Sequence, residues 1–180
     1  METERLIIRK FVSDDWKALH EMIVLNEASE YAVYDHAWPT DPEKIKGVVE
    51  WFAGGDRFLA VCLKDSGRFI GFVALNPEQE NDARAYNLGY IFHANYHGQG
   101  YASEACRAVI GRAFDQLQAE RVIAGTAALN LPSCRLLERL GFKIIAESTG
   151  SLRNTQDGQP IEFLGRTYAL TKENWAAVGR

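Results

Sequence analysis

Apolar positions change their spacing several times along the chain, and each change marks an element. Residues 5–11 are apolar, β-branched and few, which predicts a strand. Ser13, Asp14 and Asp15 follow with a capping hydroxyl and acids suited to the positive end of a helix dipole. Trp16, Leu19 and Ile23 then recur at helical spacing, so a helix is expected to about residue 25. Residues 31–39 are aromatic and irregular. Asp41 and Pro42 read as a cap and a first helical position. Ile45, Val48, Val49 and Phe52 form the buried stripe of that second helix, which Gly54 and Gly55 are expected to end.

The period then shortens. Residues 58–63 and 69–75 are apolar runs around Lys64, Asp65, Ser66 and Gly67, the pattern of an antiparallel hairpin. Residues 76–82 are polar and read as a loop, and 85–93 as another strand. A helix is expected over 103–117, a strand over 121–127, and a helix over 132–140 that stops at Gly141. Strands over 142–146 and 162–170, with a turn at 154–158, complete the pattern. No repeat, low-complexity tract or linker interrupts it. The elements mix within one α/β domain, 1–180, whose sheet is partly antiparallel.

Composition narrows the classes. Apolar residues make up 47% and charged residues 24%, enough to bury a core and unlike a disordered chain. The net charge of −4 argues against affinity for nucleic acid through overall charge, and no direct nucleic-acid contact is expected. Cys62, Cys106 and Cys134 match neither a disulfide framework nor a zinc pattern. No metal is expected, and free thiols point to a reducing, cytoplasmic setting. No apolar run approaches the ~20 residues that cross a bilayer, and the first residues lack the features of a signal peptide, so no membrane partner is expected.

The most informative segment is His97, Gly98, Gln99, Gly100, Tyr101, Ala102, Ser103, Glu104 and Ala105, between an apolar strand and an amphipathic helix. Glycines there let the backbone turn tightly and let a ligand approach the amides. The first helical N–H groups lack internal partners and sit at the positive end of the dipole, a combination that binds phosphate. Ser103 could add a hydroxyl donor. From spacing alone, anion binding and a plain strand-to-helix turn both stand. A Walker loop is excluded, because Gly-Lys-Ser/Thr is absent. A dinucleotide fingerprint fits poorly: Ser103 replaces a small third position, and the next strand ends in Thr126 and Ala127 without an acid.

His97 to Ala102 resemble the Arg/Gln-x-x-Gly-x-Gly/Ala pyrophosphate loop of the Gcn5-related N-acetyltransferases (GNAT). The continuation through Ser103, Glu104 and Ala105 resembles the branch holding the ribosomal-protein N-terminal acetyltransferases. So do the opening strand with Glu4, Arg5, Leu6, Ile7, Ile8 and Arg9, the Asn130-Leu131-Pro132-Ser133 motif, and Leu140-Gly141-Phe142. The resemblance covers nearly the whole chain. It implies a mixed, mostly antiparallel central sheet with a splayed parallel strand pair and helices on both faces. It implies acetyl-CoA as co-substrate, with the pyrophosphate on the amides of Gly98, Gln99, Gly100, Tyr101 and Ala102. The pantetheine arm would lie between strands 85–93 and 121–127 and pair with backbone at Ile91, Phe92 and His93. His97 departs from the usual Arg or Gln; as a cation it would aid phosphate binding, and otherwise it is an exposed loop histidine.

The implied reaction is direct acetyl transfer to a primary amine in a ternary complex. An alkylamine with a pKa of ~10 must lose its proton before it attacks. The oxyanion is expected to be met by a backbone amide at Tyr90 or Ile91. Many members hold the leaving thiolate with a Tyr seven residues after the Asn. Leu137 stands there, so Ser133 is the expected hydrogen-bond partner of the sulfur, with helix capping as its other reading. Asn130 is expected to bond the pantetheine amides, and Arg135 a coenzyme phosphate. Glu104 is assigned to the helix N-terminus rather than to a base, and Cys106 and Cys134 to packing. Tyr31, Tyr34, Asp35, His36 and Trp38 are the expected acceptor residues, with His36 or Asp35 as base; a hydrophobic loop over the second helix is the alternative. His20 lies on a helix surface. The acceptor is a protein N-terminus or a small amine; a homodimer is compatible with the sequence but not read from it. Two other functions stay open: a CoA-binding sensor or interaction module without catalysis, and a nucleotide-binding enzyme using the same loop.

Overall fold

The computed structural model describes residues 1–79 and 82–178 of the 180. Its strands are β1 (Leu6–Lys10), β2 (Phe58–Leu63), β3 (Phe69–Gln79), β4 (Asp82–Phe92), β5 (Arg121–Ala127), β6 (Lys143–Asn154) and β7 (Pro160–Thr171). Its α-helices are α1 (Trp16–Glu27), α2 (Pro42–Ala53), α3 (Tyr101–Asp115), α4 (Leu131–Arg139) and α5 (Lys172–Val178). The strands make a 7-stranded sheet in the order β1-β2-β3-β4-β5-β7-β6. Neighbours β1/β2, β2/β3, β5/β7 and β6/β7 are antiparallel, and β4/β5 is parallel. The mixed, mostly antiparallel α/β class expected from the sequence is present. No helix among the described residues is long and apolar enough to cross a membrane.

The chain forms two compact units. The first comprises Met1–Ala28, Trp38–Asn76 and Leu88–Ile110. Its core joins Leu19, Met22 and Ile23 of α1, Ile45, Val49 and Phe52 of α2, and Phe69 and Phe72 of β3. Phe52 stacks on Phe58 with ring centroids 3.9 Å apart and meets Phe11 edge-on at 5.1 Å. The cap of α2 is as expected, with Asp41 accepting from the Lys44 N–H at 3.0 Å ahead of Pro42. Its end differs. Gly54 has φ −68°, so no left-handed glycine closes this helix. At the start of α1, the buried Asp15 carboxylate takes both Arg9 Nη groups at 2.7 Å and the Val12 N–H at 2.9 Å. Gly71 has a packing reason: a Cβ there would lie 2.6 Å from the Ile91 carbonyl oxygen and from the Phe92 ring. That close approach of β3 to the end of β4 positions the segment leading into the glycine loop.

The second unit comprises Ser29–Ala37, Pro77–Asn87 and Gly111–Arg180. The parallel ladder pairs Ala85 with Arg121, Tyr86 with Val122 and Asn87 with Ile123, and stops there among the described residues. Strands β6 and β7 are longer than expected. Their outer parts are exposed, so no apolar alternation announces them, and cross-strand pairing sets their length. The expected loop at 76–82 is also different, since β3 reaches Gln79 and β4 begins at Asp82; residues 80 and 81 lie outside the described residues. Helix α5 was not expected. Seven residues cannot hold a helix by propensity, and this one is docked by Trp175 against Phe114 with centroids 6.0 Å apart. Helix α4 ends as the sequence suggests: Gly141 has φ +92°, the Phe142 N–H donates to the Leu137 carbonyl at 3.1 Å and the Gly141 N–H to that of Glu138 at 3.0 Å. This is a Schellman closure, and it explains Leu-Gly-Phe physically.

Candidate functional site

In the first unit, the chain from β4 to α3 is held by its own hydrogen bonds. The His93 N–H donates to Ile70 at 2.9 Å and its carbonyl accepts from Tyr96 at 2.9 Å. Its ring is buried, with Nδ1 accepting the Asn95 N–H at 3.2 Å and Nε2 3.5 Å from Glu21. The His97 Nε2–H donates to the Phe92 carbonyl at 2.8 Å, because a carbonyl only accepts. His97 is exposed in the loop, as expected, with its ring tied back to the end of β4 by this bond. Successive residues of a strand turn their amides to opposite edges. The bond from His93 to Ile70 thus directs Ile91 to β3 as well, and Tyr90 and Phe92 away from it.

The glycine loop follows. Gly98 and Gly100 have φ of +74° and +83°, a region that only glycine enters without strain. The first helical bond of α3 runs from the Glu104 N–H to the Gly100 carbonyl at 3.0 Å. The N–H groups of residues 98–103 have no partner among the described residues. A run of open amides thus meets the positive end of a helix dipole. The Gln99 side chain donates to the Asn95 carbonyl at 2.9 Å, and its backbone N–H is one of the open amides.

Two residues at this loop carry more than sequence reasoning assigned them. The Glu104 carboxylate accepts from the Thr3 hydroxyl, from the Arg5 N–H at 2.9 Å and from Arg5 Nε at 2.7 Å. Burial pushes its pKa up, but the bonds from Thr3 and Arg5 outweigh this and hold it below the ordinary carboxylate value. Arg5 also reaches the Gln99 carbonyl with Nη1 at 3.0 Å and lies over the Tyr101 ring at 4.4 Å. The signal for this contact was only the charge of Arg5 at the start of β1.

The remaining candidates lie in the second unit, Trp38 excepted. Asn130 caps α4, its side-chain oxygen accepting the Ser133 N–H at 3.2 Å. Capping therefore belongs to Asn130 and not to Ser133, which is half-buried in the first turn. Arg135 is exposed, and Leu137 is fully buried in the core. Asp35 and His36 are exposed, and Tyr31 and Tyr34 are half-buried. The Asp35 carboxylate accepts the His36 N–H at 2.7 Å. Arg153 of β6 donates to the carbonyls of Asp35 at 2.7 Å and His36 at 3.2 Å, and Phe163 of β7 meets Tyr34 edge-on at 5.5 Å. Arg153 and Phe163 were missed by the sequence reading. Trp38 belongs to the first unit and packs on Phe52 and Phe72 at 6.4 and 5.9 Å, as a loop residue covering α2 would.

All three cysteines are buried and free, and burial pushes the thiols of Cys62 and Cys106 up, away from thiolate chemistry. Among the described residues no group of three or more His, Cys, Asp or Glu could hold a metal ion.

Comparison with known proteins gives these features a family. Residues 5–143 match the family described as Acetyltransferase (GNAT) domain, so the chain belongs to the GNAT family and is an acetyltransferase. The family uses acetyl-CoA as donor. A Bacillus subtilis (strain 168) relative, the uncharacterized N-acetyltransferase YnaD, is 30% identical over 143 residues, 78% of this chain and 81% of its own. The crystal structure of a GNAT-family acetyltransferase from Bacillus anthracis superposes with a TM-score of 0.80 at 26% identity, covering 96% of this chain and 98% of the other. Spermidine N-acetyltransferase from Vibrio cholerae, solved with CoA and spermine, shares the fold at a TM-score of 0.77 and 13% identity, over 97% of this chain and 99% of that one.

Proposed function

We propose that this acetyltransferase moves the acetyl group of acetyl-CoA directly to a primary amine, on a protein N-terminus or a small molecule, in a ternary complex. The observation that carries the reading is the run of unpartnered N–H groups at residues 98–103, with Gly98 and Gly100 in left-handed conformation. Those amides take the coenzyme diphosphate; Ser103 can add its hydroxyl. The pantetheine arm follows the edge of β4 that faces away from β3. The groups turned to that edge belong to Tyr90 and Phe92, and of these the Phe92 carbonyl already accepts from His97. His93, with its N–H and carbonyl already bonded, and Ile91, turned to β3, are poorer partners than the sequence suggested.

The chemistry needs three things of the chain. The amine must arrive neutral; Tyr31, Tyr34, Asp35 and His36 are the acceptor candidates, with His36 or Asp35 taking the proton. The amine nitrogen bonds to the thioester carbon, and the Tyr90 N–H is the donor proposed for the oxyanion. The carbon–sulfur bond then breaks. Ser133 donates to the leaving sulfur, Asn130 uses its amide NH2 on the pantetheine, and Arg135 meets a phosphate. One proton leaves the nitrogen and one reaches the thiolate, so the products are an N-acetyl amide and CoA thiol.

Thiol release from acetyl-CoA over a panel of polyamines, amino acids and peptide N-termini tests this. Release with at least one amine class is expected. CoA binding without release above background would favour the sensor, the reading that the buried Leu137 in place of a tyrosine keeps in view. Gly100→Glu puts bulk and a carboxylate into the cradle at a position with φ +83° and should abolish coenzyme binding.

A further inference from the structure

We infer that Arg5 is a positioning residue of the coenzyme site, which cancels the charge of Glu104 and braces the loop that presents the amides of residues 98–103. The inference rests on reading that loop as the diphosphate cradle. Glu104 lies in the first turn of α3. Its carboxylate would place a full negative charge beside amides meant for an anion, and it would compete with the ligand for the positive end of the helix.

The structure shows how that charge is answered. Both carboxylate oxygens are engaged: one by the Thr3 hydroxyl and the Arg5 N–H, the other by Arg5 Nε. The rest of the guanidinium works on the loop itself. Nη1 bonds the Gln99 carbonyl at 3.0 Å, Nη2 lies 3.3 Å from where a Cβ on Gly100 would stand, and the plane covers Tyr101 at 4.4 Å. One side chain thus contacts Gln99, Tyr101 and the acid behind them, and lies beside Gly100. A lysine, with its single ammonium, could not hold the carboxylate and the Gln99 carbonyl in this fork. The same contacts give Gly100 a second reason to be glycine, since a side chain would press on the guanidinium as well as strain the backbone.

The charge argument separates this role from plain stabilisation. Arg5→Ala leaves Glu104 ionised and uncompensated, so CoA affinity measured by calorimetry should fall about tenfold, with the KM of the amine unchanged. In Arg5→Ala/Glu104→Gln the repelling charge is gone as well, and most of the lost affinity should return. Raising the salt to about 0.5 M should narrow the deficit of the single variant. Wild-type CoA affinity in folded Arg5→Ala, or a double variant that binds no better than the single one, overturns the inference. If Arg5→Ala does not fold, Arg5→Gln takes its place with the same expectations. Gly100→Glu in the same titration tells the two failures apart. If that folded variant still binds CoA normally, the cradle reading fails; if it loses binding while Arg5→Ala does not, only the role of Arg5 fails.

Discussion

Ser133 and Glu104 show how a single residue changes meaning once its neighbours are known. In sequence, Ser133 could be a cap or a partner of the coenzyme sulfur. The cap is Asn130, whose side-chain oxygen receives the Ser133 N–H at 3.2 Å. With Ser133 donating to the sulfur as proposed, Ser133→Ala should lower kcat about 10- to 100-fold while CoA affinity stays within about twofold. Equal losses in the two, from steady-state kinetics and calorimetry, would return Ser133 to a binding role. Glu104 carries a pH signature. Its folded-state pKa lies below the ordinary 4.5, because bonds from Thr3 and Arg5 overcome the burial that raises it. A depressed carboxylate stabilises the fold fully above its unfolded value and loses that contribution as pH falls through the folded one. Thermal unfolding between pH 6 and pH 3 should thus fall off less steeply in Glu104→Gln than in the wild type; parallel profiles would contradict this. Leu137 stays mute in the sequence. Its complete burial and its carbonyl bond to the Phe142 N–H make it part of the core and of the helix end, and its hydrocarbon side chain supplies no acid.

At the scale of elements, local chemistry was legible and distant pairing was not. The cap at Asp41 and Pro42, the stop at Gly141 and the turn at Gly98 and Gly100 all follow from backbone preferences of a few adjacent residues, and all are present. Gly54 shows the limit, since glycine permits a left-handed end without requiring one. The lengths of β6 and β7 and the existence of α5 depend on partners far away in sequence. So does the segment with Tyr31, Tyr34, Asp35 and His36. Arg153, 118 residues beyond Asp35, bonds its carbonyl at 2.7 Å, and no local pattern announces that contact. Arg153→Ala should release the segment and raise the KM of the amine about 3- to 10-fold, leaving CoA affinity unchanged. Arg153→Lys, which keeps a donor, should recover part of the loss. An unaltered amine KM would show that the segment does not serve the acceptor.

For the whole molecule, the donor is better determined than the acceptor. The GNAT family match spans residues 5–143 and brings acetyl-CoA with it. A ligand that binds only the folded state stabilises by about 2.7 kcal/mol at a hundred times its Kd. Acetyl-CoA at that excess should raise Tm by several degrees, with ATP and NAD doing markedly less; a larger shift with either nucleotide would favour the nucleotide-binding alternative. The fold class, the glycine turn and the C-terminal end of α4 could be read from the chain alone, because each rests on short-range rules: the period of apolar residues and the conformations open to glycine. The brace of Arg5 on Glu104, the anchoring of Asp35 and His36, the orientation of Tyr90 and the burial of Leu137 came only with the folded structure. They depend on hydrogen bonds and packing between residues that sequence separates and folding brings within 3 Å or so of one another.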